Sequence, residues 1–295
     1  MIRPSYLAPG LSSRKDGFTV LELLITVFCL GLVIALLLPA LGATREASRR
    51  RQCGEHLRLV GIAMHAHHGT KGQLPAGWTF DATGQSAYGW AVPLLAYLEP
   101  SGLHEQIHAS KPITDRSHRQ IRTTPLAVML CPSDITETSF RLFEENDFDE
   151  TASQVLKATL PNLLVELPTA NYVGMFGTLE VGNHAPLSMG DGAFRNDQAV
   201  HLREFTRGTT HTLLIGERTM AQVPSTWLGV DLAGEDAIAR MVGSALEGIN
   251  QTMPEEVEYS SRHPGGVNFL WGDGHVSFIH DDVNVDLYRS WSRLN

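Results

Sequence analysis

By type and spacing, His263, Asp273 and His275 are the residues of this 295-residue chain best suited to chemistry. His263 is followed by nine residues and then by Asp273-Gly274-His275. An imidazole and a carboxylate held together can pass a proton or share a divalent metal. Glu217, which ends the apolar run Thr210 to Glu217, could join them from another strand. The simpler expectation is that Asp273 builds a turn and His263 hydrogen-bonds a loop onto a sheet. That expectation is carried forward, because no nucleophile or convincing third ligand accompanies the pair. No catalytic residue, metal or cofactor is therefore assigned. His65, His67 and His68 form a second cluster. His65 and His68 share a helix face, but the residues four positions after His65 and His67 are Gly69 and Lys71. These read as partly exposed histidines at a helix end, favourable to its dipole when charged. The sequence has no Walker-type phosphate loop and no G-x-S-x-G elbow.

Another kind of chemistry centres on Glu22. From Val20 to Leu38 the chain reads VLELLITVFCLGLVIALLL, with Glu22 as its one charge. The apolar stretch from Phe18 to Leu41 is long enough to cross a bilayer, which takes about 20 residues. An ionised carboxylate in such a segment costs about 2.5–3.5 kcal/mol on insertion scales. It persists with a partner or a purpose. A cut after Gly17 would give Phe18 a free amine, one helical turn from Glu22. The amine of a neighbouring subunit could then neutralise Glu22 and favour one axial register.

The elements that must carry these residues are legible in outline. Ala40, Ala43, Ala47, Leu57, Val60, Ala63 and Met64 recur at helical spacings. The helix is expected to end near Gly69, with Gly72 and Pro75 as stop signals. From Phe18 to His68 it would be roughly 75 Å long. Trp90 to Glu99 reads as a short buried helix or turn, Asn171 to Gly174 as a short strand, and Thr210 to Glu217 as a buried strand. Val267–Trp271 and His275–Ile279 flank Gly-Asp-Gly and read as an antiparallel hairpin with a two-residue Asp-Gly turn. A net charge of −9 with 19% charged residues argues against a nucleic-acid partner.

Gly17-Phe18-Thr19-Val20-Leu21-Glu22, after Arg14 and Lys15, resembles the signal of type IV prepilins and type II secretion pseudopilins. Pro39 resembles the helix-kinking proline of many pilins. The resemblance implies cleavage after Gly17 by a prepilin peptidase and N-methylation of Phe18. It also implies assembly through Glu22 with itself or other pilin-like subunits in inner-membrane lipid. The head would stand in the periplasm or extracellular envelope. Charge alone would favour the reverse topology, since Arg45, Arg49, Arg50, Arg51 and Arg58 follow the span.

Further on, a second likeness is carried by Cys53, Tyr97-Leu98-Glu99, Cys131-Pro132-Ser133, Asn171-Tyr172, Gly216-Glu217 and His263-x(9)-Asp273-Gly274. Their order resembles a large bacterial family of pilin-like proteins whose head is a domain of unknown function. Glu144 to Glu150 and Ala221 to Glu258 look like insertions in it. In an oxidising compartment Cys53 and Cys131 could form a disulfide that pins stalk to head. Cys29 reads as a small core residue.

The expected fold is α+β and pilin-like: a long N-terminal transmembrane and stalk helix packed on a globular head with an antiparallel β-sheet. Residues 1–17 would be a leader, 18–41 the transmembrane and assembly helix, 42–70 the periplasmic half of the stalk, and 71–295 the head. The expected function is a membrane-anchored structural subunit, not an enzyme. The alternative is an anchored module binding a sugar, peptide or surface polymer, with Trp78, Trp90 and Trp271 as stacking surfaces.

Overall fold

A computed structural model of the chain describes Gly17 and residues 19–99, 102–134, 137–145, 162–182, 189–252 and 255–295. It divides into two compact units, Met1–Ala47 and Ser48–Asn295. Helix α1, Val20–Lys71, is the longest element and is helical through positions 39 and 40. It ends two residues beyond the expected point. Gly72, at φ +78°, donates its N–H to the His68 carbonyl, which is how a glycine after the last turn satisfies an orphan acceptor.

In the first unit the described apolar side chains of α1 are exposed on every side. Val20 is 81% exposed and Leu38 63%. Ala43 and Ala47, expected on a buried stripe, are exposed, and so is Cys29, expected in a core. In the second unit Cys53, Leu57, Val60 and Met64 follow one another at intervals of four, three and four, and all are fully buried. That is the periodicity of a helix facing a core, and each such side chain contributes about 1.5–3 kcal/mol.

The core beneath α1 is built around a five-stranded sheet. Its strands are β5 (Tyr172–Gly177), β6 (Leu213–Glu217), β9 (Val242–Ser244), β10 (Gly266–Trp271) and β11 (Val276–His280), in the order β11-β10-β6-β5-β9. Pairing is antiparallel except between β5 and β9, which run parallel. Every residue of β5, β6 and β10 is buried, so the sheet is covered on both faces. Alternation along β5 sends Tyr172 and Phe176 into one core with Leu57 and Met64, and Val173 and Met175 into another with Phe269 and Tyr288. Two three-stranded sheets complete the described strands. One is β1 (Trp78–Phe80), β2 (Ser86–Gly89) and β8 (Gly229–Asp231); the other is β3 (Ser139–Phe143), β4 (Leu163–Ala170) and β7 (Ser225–Thr226). The second unit is therefore a β-rich region under one helix segment, and the chain is α+β.

Ala221 to Glu258, read as an insertion in the family, is built into the sheets. It supplies β7, β8 and β9, one strand to each sheet. Of the acidic stretch, residues 146–150 lie outside the described residues. The C-terminal hairpin forms with the expected strands, but its turn is longer. Leu270 pairs with Val276 and the Trp271 N–H donates to the His275 carbonyl. This leaves Gly272, Asp273 and Gly274 as a three-residue loop. Gly274 takes φ +90° and Asp273 does not have positive φ, so the mirror-image two-residue turn, which needs both, cannot form.

Gly216 on β6 lies directly under the rings of Phe269 and Tyr259, and a Cβ there would collide with both. Gly216→Ala is expected to destabilise the protein by about 1–3 kcal/mol through overpacking, read as a lower urea midpoint with an unchanged slope.

Candidate functional site

Cys53, Cys131, Glu217 and His263 meet inside the second unit. Cys53 comes from α1, Cys131 from the loop after a 3-10 turn at Ala127–Met129, Glu217 from the last position of β6, and His263 from the loop before β10. Their donor atoms all lie within 4.8 Å of one another. The two sulfurs are 2.6 Å apart, both as free cysteines. His263 Nε2 is 3.4 Å from Cys131 Sγ and 3.5 Å from Glu217 Oε1. Cys53 is 0% exposed, His263 1%, Glu217 2% and Cys131 9%.

The surrounding residues fix these groups. Glu217 Oε2 accepts the Asn268 N–H at 2.9 Å, and Asn268 Nδ2 donates to Oε1 at 3.0 Å. The Cys131 N–H donates to Asn171 Oδ1 at 2.8 Å. Asn171 Nδ2 in turn donates to Asp134. Asp134 also accepts from Thr219 Oγ1, the Met220 N–H and Arg262 Nε. Either thiol could donate in the contact between Cys53 and Cys131. That contact lowers the Cys131 thiol and raises the Cys53 thiol, the latter aided by burial and the Glu217 charge. Cys131 also borders a surface cavity of about 290 Å³ with Gln52, His56 and Leu130.

Beside the cluster, Arg218 is 1% exposed. Its guanidinium donates to Ser225 Oγ at 3.0 Å and to the carbonyls of Glu256, Val242 and Ala239. Burial pulls its pKa down to about 10.

In the first unit, Glu22 is bound locally. Its Oε2 accepts the Thr19 N–H at 2.9 Å and the Thr19 hydroxyl at 2.8 Å, while Thr19 Oγ1 accepts the Glu22 N–H at 3.3 Å. Thr19-Val20-Leu21-Glu22 is thus a capping box, two orphan amides satisfied reciprocally. The T-x-x-E spacing carries that signal, which sequence reasoning missed beside the stronger claim of a carboxylate in an apolar run. Gly17 is exposed. Phe18 and the leader up to residue 16 lie outside the described residues.

Among known families, the one described as a protein of unknown function (DUF1559) matches residues 42–286. The chain belongs to the DUF1559 family. No curated protein and no solved structure matches it. The DUF1559 segment contains the whole cysteine, glutamate and histidine cluster, and the match begins after the exposed apolar part of α1. A head that is a domain of unknown function agrees with the second likeness drawn from the sequence.

Within the DUF1559 segment, the His-x(9)-Asp-Gly motif divides between two places. His263 enters the cluster with Glu217. Asp273 stays in the hairpin loop, where its Oδ1 accepts the His275 N–H at 3.0 Å and meets His275 Nδ1 at 2.6 Å. Gly274 packs against α1, where a Cβ would lie 3.3 Å from His65 Nε2. Of the histidines at the end of α1, His65 and His68 are partly exposed as expected, and His67 departs from expectation. His67 is buried, meets the Gln73 carbonyl through Nδ1, and has its pKa lowered by that burial, so it is not a charged partner for the helix dipole.

Trp78, Trp90 and Trp271 are 1%, 2% and 6% exposed. They are core residues and offer no stacking surface. The expectation that the sequence holds no H-E-x-x-H is wrong: His104-Glu105-Gln106-Ile107-His108 has that spacing, the one of a zinc-protease helix. Here Leu103–Gln106 is a 3-10 turn and Ile107 is extended, so His104 and His108 do not share a helical face. Among the described residues, the metal-capable group is the Cys53 cluster.

Proposed function

We propose that this DUF1559 chain is a membrane-anchored, pilin-like structural subunit. In this reading a prepilin peptidase cuts after Gly17, Phe18 is N-methylated, and the protein assembles through the first part of α1. The observation that carries the proposal is the outward-facing apolar surface of α1 from Val20 to Leu41, broken by one carboxylate. A helix apolar all round belongs in lipid or among other apolar helices. α1 is also long and apolar enough to cross a membrane. Anchoring in the inner membrane with the head outside the cytoplasm belongs to the same proposal. An anchored ligand-binding module loses its main support, since the aromatic residues that would have stacked on a ligand are buried.

Mass spectrometry of the N-terminal peptide from protein isolated from its own membranes tests this. The expected result is a chain starting at methylated Phe18. A chain that retains residues 1–17 overturns the processing route, and with it the amine that Glu22 needs.

A further inference from the structure

We propose that Cys53, Cys131, Glu217 and His263 form a structural binding site for one divalent d-block cation of the zinc type. The inference stands on the second unit alone and does not depend on how the N-terminus is processed.

The donor set has the right chemistry. Two thiols, an imidazole and a carboxylate are the ligand types zinc takes, and sulfur donors select against magnesium and calcium. The geometry is close to a coordination shell. A tetrahedral zinc with standard bond lengths sets a sulfur and a nitrogen ligand about 3.6 Å apart, and a nitrogen and an oxygen about 3.4 Å apart. The corresponding separations are 3.4 Å for Cys131 to His263 and 3.5 Å for His263 to Glu217. The His263–Glu217 separation is long for a hydrogen bond, and both donor atoms lie within 4.8 Å of the two sulfurs. The sulfurs are the exception. They stand 2.6 Å apart and must part to about 3.8 Å around a zinc. Cys131, on a loop that also lines the 290 Å³ cavity, is the one placed to move, and its 3.4 Å separation from His263 would change with it.

The supporting shell also fits. Ligating carboxylates in metal sites are themselves hydrogen-bonded, as Asn268 holds Glu217. The backbone at Cys131 is pinned by Asn171. Four protein donors leave no open position, the mark of a structural rather than a catalytic centre. On loading, two S–H bonds break, two S–metal bonds form, and two protons leave to solvent. The ion would then cross-link α1, the Cys131 loop, the end of β6 and the loop before β10.

The test uses the full chain, purified in detergent and split in two. One half is alkylated under denaturing conditions without reductant, to count the thiols of Cys53 and Cys131. The other is reduced, loaded with zinc or with cobalt(II), dialysed and measured. The expected result is that Cys53 and Cys131 are both alkylated, along with Cys29, that the chain holds one zinc by elemental analysis, and that cobalt gives the spectrum of a tetrahedral site with thiolate charge transfer. His263→Ala is expected to lower zinc affinity at least 100-fold, while Asp273→Asn retains one zinc. The cobalt spectrum of the unaltered protein keeps the test decisive if His263→Ala fails to fold. A Cys53–Cys131 disulfide in the isolated protein overturns the proposal. So does a reduced protein that retains no zinc and gives no tetrahedral cobalt spectrum.

Discussion

Glu22→Ala is expected to leave the protein in the membrane and to abolish its assembly. Removing the carboxylate lowers the cost of burying the apolar segment by about 2.5–3.5 kcal/mol, so the membrane-bound fraction does not fall. What is lost is the partner for a neighbouring subunit's terminal amine. An amine left unpaired among apolar helices is strongly unfavourable. Assembly, read by cross-linking in intact membranes, should drop at least 100-fold, equivalent to about 2.8 kcal/mol.

The bonds between Glu22 and Thr19 give alanine a second effect, since losing a helix cap costs about 0.5–2 kcal/mol. Glu22→Gln separates the two. Glutamine serves in a capping box as glutamate does, but it carries no charge. If the charge sets the register, Glu22→Gln fails to assemble as alanine does. Normal assembly of Glu22→Gln would reduce Glu22 to a cap.

Arg218→Leu is expected to be the most damaging single change in the DUF1559 region. Its guanidinium serves the carbonyls of Glu256, Val242 and Ala239 and the hydroxyl of Ser225 in a fully buried position. Leucine removes the donors and leaves the acceptors dry, at about 1–3 kcal/mol for each one that finds no substitute. A net loss of about 3–5 kcal/mol follows, allowing for the relief of no longer burying a charge. For a region of this size that lowers the melting temperature by about 6–20 °C, measurable by differential scanning calorimetry. Arg218→Lys keeps a charge but cannot reach four acceptors from one nitrogen, and should fall between leucine and the unaltered protein.

The parts legible in the sequence were those set by local pattern. The spacing of Leu57, Val60, Ala63 and Met64 gave the buried helix face. The strand-like runs around Gly272-Asp273-Gly274 gave the hairpin. Ala43 and Ala47 fit the same helical period but meet nothing, because periodicity shows that a stripe exists and not where its cover stops. The cluster was half visible. Glu217 was noted as a group able to join His263, and Cys53 was paired with Cys131. That the two pairs are one constellation depends on β6 lying beside β10 and on Cys53 facing the sheet, and no local pattern records either. Asp273 drew attention by its spacing from His263, yet those nine residues include all of β10. A strand of six residues spans about 20 Å, so the two ends of the motif are carried apart. Arg218 carried no local signal, because its burial depends on contacts distant in the sequence.

The order of the strands has a bearing on how this polypeptide is made. β10 must insert beside β6, and His263 reaches its place only with the loop that leads into β10. A ribosome delivers Cys53 210 residues before His263. Until the final segment emerges, the edge of β6 has no neighbour on that side, and the apolar helix face waits for Leu270 to join its core. Such long-range pairing is slow and leaves strand edges open to other chains. Nascent chains arrested before Gly266 should therefore be sticky and protease-sensitive, and emergence of Gly266 to Asn295 should close the structure in one step.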